Sequence, residues 1–156
     1  MASDLLALST ETIKSKIHTI RDMQVMIDSD LAELYNVETR ALNQAVKRNI
    51  KRFPRDFMFQ LTDSEAELLV SQNVIPSKQH LGGHLPYVFT EQGVAMLSGV
   101  LKSDTAVRIS IQIMRAFVAF HDLQINSKSS FQFAPSLHPE FSVPLLSIFS
   151  PFPFCA

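Results

Sequence analysis

The stretch DLAELYNVETRALNQAVKRN, residues 30–49, sets short apolar stripes at helical spacing on either side of a single asparagine. Two such helices bury their apolar faces against each other only if the chain turns sharply between them. Ala32 is the small side chain such a crossing needs. Asn36, four positions on, is the residue type after glycine most at ease with positive φ, so it can end the first helix as glycine otherwise would. Leu31, Tyr35, Val37, Leu42, Ala45 and Val46 then fall where the two-helix corner must be apolar. The stretch predicts a helix-turn-helix. Asp28 or Ser29 is expected to cap its first helix, which reaches about Tyr35. Glu38 or Thr39 is expected to open the second, which runs to about Phe53 ahead of Pro54.

With Leu42, Ala45, Val46, Ile50 and Phe53 facing inward, helical periodicity turns Thr39, Arg40, Asn43, Gln44, Lys47, Arg48 and Lys51 outward. These are the side-chain types that read base edges in the major groove, where Arg pairs with guanine and Asn or Gln with adenine. The N-terminal turns of the second helix approach the bases in this motif, so Thr39, Arg40, Asn43 and Gln44 are the candidate base contacts. Lys47, Arg48, Lys51, Arg52 and Arg55 are the candidate phosphate contacts, which supply affinity without sequence information. Charge placement agrees. The formal net charge is -1, yet the stretch Arg40 to Arg55 holds six cations and no acid, leaving -7 on the remainder. A two-helix corner or a basic face is common in proteins that never meet nucleic acid. Their coincidence in one segment points to double-stranded DNA as the partner.

The rest of the chain predicts an α+β, mostly helical fold: the helix-turn-helix, a small wing-like β-hairpin and a long apolar C-terminal helix. Residues 20–28 alternate apolar and polar and suggest a short strand entering the first helix. FMFQL at 57–61 and LPYVF at 85–89 read as strands flanking a loop with Gly82 and Gly83, a pair that forms the expected wing with KQHLGGH at its tip. Thr62 followed by Glu65 is a capping-box signature for a helix over 63–71, and Thr90 is expected to cap another over 91–101. The helix from Asp104 carries Arg108, Gln112, Arg115 and Asp122 on one side and is otherwise apolar, which suits a core spine or half of a subunit interface. From Ser127 onward the chain holds five Pro, seven Ser and six Phe and reads as a poorly structured extension. The expected domains are a leader at 1–17, a DNA-binding domain at 18–124 and a Pro/Ser/Phe-rich tail at 125–156.

Enzyme chemistry finds little support. His80 and His84 flank the glycine pair, but a metal site wants three or four ligands, and Cys155 lies far off in the tail. No phosphate-binding glycine loop, nucleophile elbow or paired-histidine zinc motif occurs. Neither an enzyme nor a cofactor or metal is expected. A single cysteine forms no internal disulfide, the N-terminus is unlike a secretory signal, and no apolar run approaches a membrane span. A cytoplasmic protein without a membrane partner is the expectation.

From about Ile20 to Leu123 the chain resembles the ORF6N domain, a relative of the KilA-N and BRO-N domains of phages and large DNA viruses. The resemblance rests on VMIDSDLAELYNVETRALNQAVKRNIKRFPRDFMFQLT, LPYVFTEQGVAMLSGVL and IQIMRAFVAF. It implies a DNA-binding module of phage or prophage origin, found in antirepressor-like transcriptional regulators. Carried over residue by residue, it marks Asp30, Leu31, Ala32, Leu34 and Tyr35 as scaffold. Asn43, Val46, Lys47, Arg48, Asn49 and the Phe53-Pro54 pair match the recognition-helix segment, and Gly93 matches a position of close packing near a helix start. The tail departs from the charged, helical continuation usual in the family.

A rival reading makes the protein an interaction module, binding a repressor through its apolar C-terminal helix and tail while the basic helix keeps it soluble. A homodimer is a further expectation, because one helix-turn-helix makes a small footprint and paired half-sites raise specificity.

Overall fold

The computed structural model describes residues 9–81 and 83–132. Four antiparallel strands form one sheet in the order β1-β2-β4-β3, with β1 at His18–Ile20, β2 at Met23–Ile27, β3 at Met58–Gln60 and β4 at Tyr87–Thr90. Side chains alternate across a strand, so this sheet packs on both faces. Met26, Met58 and Phe89 join the larger core with residues from the helices α1 (Thr10–Lys14), α2 (Asp28–Tyr35), α3 (Thr39–Arg48), α5 (Glu91–Leu101) and α6 (Asp104–Gln132). Val25, Ile27, Phe59 and Val88 point the other way and pack with Leu61, Ile75 and Leu69 of α4 (Asp63–Ser71). The fold is α+β and mostly helical.

Several expected elements form for the expected reasons. Asn36 closes α2 in the left-handed region at φ 55° and ψ 46°. The Val37 N–H then donates to the Ala32 carbonyl at 2.9 Å and the Asn36 N–H to that of Glu33 at 3.1 Å, the paired closure of a Schellman motif. Thr62 and Glu65 make both halves of the capping box, and the Thr90 hydroxyl accepts from the Gly93 N–H at the start of α5. Gly93 permits close packing, since a Cβ there would run into the Phe57 carbonyl oxygen.

Other expectations are corrected. Neither Asp28 nor Ser29 caps α2; the helix follows directly from β2 with Ile27 at its cap and no side-chain cap bond. The second helix stops at Arg48 rather than Phe53, where the Asn49 amide donates to the Ala45 carbonyl and a 3-10 turn takes over at Ile50–Arg52. That change of winding swings Ile50 out of the core, to 52% exposure, while Phe53 stays buried. Val37 is also exposed.

The two predicted wing strands do pair, Met58 with Phe89 and Gln60 with Tyr87, but they belong to the four-stranded sheet, with β3 at its edge, and α4 occupies part of their connection. They form no projecting wing. Lys78, at the expected tip, is tied to Asp63 and Glu67, and Gly82 lies outside the described residues. The true hairpin is β1–β2, turned by Arg21 and Asp22 at positive φ.

Within the expected leader, Ile13 and Ile17 are buried in the larger core, and residues 1–8 lie outside the described residues. Helix α6 continues to Gln132, so the beginning of the expected tail is helical, and its remainder lies outside the described residues. One side of α6 is buried. Ala106, Ile109, Ile113, Ala116 and Phe117 are buried, and the buried Ser110 hydroxyl meets that of Tyr35 at 2.7 Å. Burial pushes the Tyr35 hydroxyl up to about 12. The outer side mixes Arg108, Arg115 and Asp122 with exposed Val107, Ile111 and Val118. Among the described residues no helix is long and apolar enough to cross a membrane.

Candidate nucleic-acid interface

Both β2 and β4 run straight into helices, and their antiparallel pairing aligns Ile27 with Val88. One step further along that register, Asp28 meets Tyr87. The Asp28 carboxylate is only 4% exposed, and three N–H groups converge on it. Its Oδ1 accepts from the Ser29 backbone at 2.8 Å; its Oδ2 accepts from the Asn43 side chain at 2.8 Å and from the Tyr87 backbone at 3.4 Å. Burial pushes the carboxyl up, against those hydrogen bonds. Asp28 thereby ties the start of α2, the middle of α3 and the start of β4 into one polar junction.

Above this junction lies a groove of about 700 Å³. One wall is α3, through Thr39, Arg40, Asn43, Gln44 and Lys47; the other is Gln60 with His84, Leu85, Pro86 and Tyr87. All four candidate base contacts therefore line a single concavity, together with one of the candidate phosphate contacts. They are not equivalent. Arg40, Gln44 and Lys47 are exposed, whereas Thr39 and Asn43 are half-buried and Asn43 is already engaged by Asp28.

The remaining candidates, Arg48, Lys51, Arg52 and Arg55, are exposed but do not line the groove. Arg48 sits one residue past Lys47, hence roughly 100° further round the helix. Arg52 lies against α5, its guanidinium within 3.5 Å of where a Cβ on Gly99 would be. The basic block thus spreads over a groove wall and an adjoining flank instead of one helix face.

None of the six cations forms an ion pair among the described residues, although Lys14, Lys16, Arg21 and Lys78 all pair with carboxylates. Acids elsewhere neutralise local cations and leave this block unneutralised. Its positive field is available to an external polyanion.

Sequence reasoning missed Asp28, Gln60 and Tyr87 as site residues, and considered His84 only in the wing tip and as a metal ligand set aside. The one local signal, an acid at a strand-to-helix junction, was open to a capping interpretation. The opposite wall depends on the pairing of β3 with β4, which brings together residues 27 positions apart, Gln60 and Tyr87.

The family model of the ORF6N domain matches residues 15–100, more than half of the chain and all of the groove. The chain belongs to the ORF6N domain family. The match ends within α5, so the segment IQIMRAFVAF of α6 lies beyond it. Comparison with curated proteins and with solved structures gives no match.

Proposed function

We propose that this ORF6N domain binds double-stranded DNA, with the α3 wall of the groove facing base edges and the flanking cations facing phosphates. The observation that carries the reading is the basic block, six cations from Arg40 to Arg55 without a carboxylate partner among the described residues, beside a groove rich in amide side chains. Thr39, Arg40 and Gln44 are the base contacts in this reading, and Asn43 contributes from its fixed position. Lys47 follows either a base or a phosphate. Arg48, Lys51, Arg52 and Arg55 hold the backbone. A transcriptional regulator or antirepressor of phage or prophage origin, acting in the cytoplasm without enzymatic chemistry, is the biological setting that fits.

Salt dependence tests the proposal. Affinity for duplex should fall with log salt at a slope of about -0.9 per contacted phosphate. A fourfold rise in salt then weakens binding by about 3.5-fold for each contact. Fluorescence anisotropy on mixed-sequence duplex should give a steep slope for the native chain and a shallower one, by about 1 for each contact removed, for Lys47→Ala and Arg48→Ala. Binding indifferent to salt and to both substitutions would refute it.

The rival reading, docking of a repressor protein, draws on the exposed apolar residues of α6, Val107, Ile111 and Val118 at 46%, 46% and 53% exposure. The same strip suits a second copy of the chain, which would double the DNA footprint. Ile111→Glu separates these from the DNA reading, since it lies outside the basic block.

A further inference from the structure

The two ends of a side-chain amide are nearly the same shape, so what a protein reads with Asn or Gln depends on which end it ties down. In this groove two amides are tied by the same end. Asn43 places its nitrogen 2.8 Å from the Asp28 carboxylate, and Gln60 places its nitrogen 3.0 Å from the Leu85 backbone carbonyl. A backbone carbonyl only accepts. The Asp28 carboxylate receives three N–H groups and, ionised, has only lone pairs to offer. Half-buried Asn43 cannot exchange its ends without setting oxygen against oxygen, and exposed Gln60 keeps the same end while its bond to Leu85 holds. Each therefore leaves its carbonyl, with the second N–H of the amide beside it, for a ligand, one on either wall of the groove.

We propose that Asp28 is a positioning residue that makes Asn43 a fixed acceptor, and that the groove consequently selects adenine or cytosine over guanine or thymine in the strand it contacts. This rests on the DNA-binding reading above. Adenine N6 and cytosine N4 present N–H donors in the major groove, whereas guanine O6 and thymine O4 present acceptors that would face the amide carbonyl unpaired. Gln60 adds a second acceptor across the groove. Arg40 and Lys47, exposed and without ion pairs among the described residues, impose no comparable fixed pattern.

Asp28→Asn probes the device directly. The Ser29 N–H, the closer backbone donor at 2.8 Å against 3.4 Å for Tyr87, keeps the new carbonyl end. The new amino end then faces Asn43, which must turn its own carbonyl inward and its nitrogen toward the groove.

Selection from a random duplex pool should give the native chain a step enriched in adenine or cytosine on one strand, by about tenfold. Asp28→Asn should move that step toward guanine or thymine. A second measurement needs only the native chain. Replacing the selected adenine by purine, or the cytosine by pyrimidin-2-one, removes the exocyclic amine and should weaken binding about tenfold.

An unaltered preference in a DNA-binding Asp28→Asn chain overturns the proposal, as does unchanged affinity for the amine-free base. Duplex binding by the native chain without any such step overturns the inference alone. No duplex binding at all overturns the reading beneath it as well.

Discussion

Replacing Gly93 by alanine should destabilise the domain, although a helix position ordinarily favours the exchange. Gly93 is buried at the first turn of α5. In an exposed helix interior the change from Gly to Ala stabilises by about 0.8–1 kcal/mol. Here the added methyl would run into the Phe57 carbonyl oxygen. That oxygen cannot simply withdraw, because it accepts from the Thr90 N–H at 3.0 Å and the Thr90 hydroxyl at 3.2 Å. Overpacking of this kind costs about 1–3 kcal/mol, and losing one of those hydrogen bonds about 1 kcal/mol more. The unfavourable side wins by about 2 kcal/mol. For a chain of this size that lowers Tm by about 4–8 °C. Gly99, six residues along the same helix, provides the contrast. A Cβ there meets only the far end of Arg52 at 3.5 Å, an ordinary contact. Gly99→Ala should therefore stabilise by about 0.5–1 kcal/mol. Thermal and urea unfolding of both variants test the sign. If Gly93→Ala proves as stable as the native chain, the close approach of α5 to β3 is wrong.

Other expectations concern the corner, the capping box and the outer helix. Asn36→Gly should be neutral or slightly stabilising and Asn36→Ala should cost about 1 kcal/mol, since only glycine lacks the Cβ penalty at positive φ; equal urea midpoints would refute the left-handed closure. Hydrogen bonding from Arg21 is the main reason the Glu65 carboxyl is held down at about 2, with the Thr62 N–H next. A depressed carboxyl stabilises the fold above its ordinary value near 4.5 and loses that contribution as pH falls toward about 2. Glu65→Gln preserves the capping box but cannot ionise. Its stability deficit should shrink across that window, and a deficit independent of pH in urea titrations would contradict the assignment. Ile111→Glu should leave thermal stability within about 0.5 kcal/mol, as expected at a surface position, and should abolish any self-association seen by sedimentation. A dimer that survives the substitution would place the interface elsewhere.

What could be read from the residues in order were interactions between neighbours three to five positions apart. Asn36 closing α2, the Thr62–Glu65 box and Thr90 capping α5 each involve a backbone group within one helical turn, so side-chain type and spacing were enough. The outward set on α3 was largely legible for the same reason: helical periodicity held from Thr39 to Arg48, exposing Arg40, Gln44, Lys47 and Arg48 and leaving Thr39 and Asn43 half-buried. It failed at Ile50, where Asn49 and the approach to Pro54 changed the winding. Tertiary structure decided what kind of site that set belongs to. Asp28, Asn43 and Tyr87 meet across separations of 15 and 59 residues, and Gln60 reaches the groove through the register of β3 on β4. A buried carboxylate requires hydrogen-bonding partners; the neighbouring Ser29 N–H is one, but the other two come from α3 and β4, which only the tertiary fold brings to Asp28.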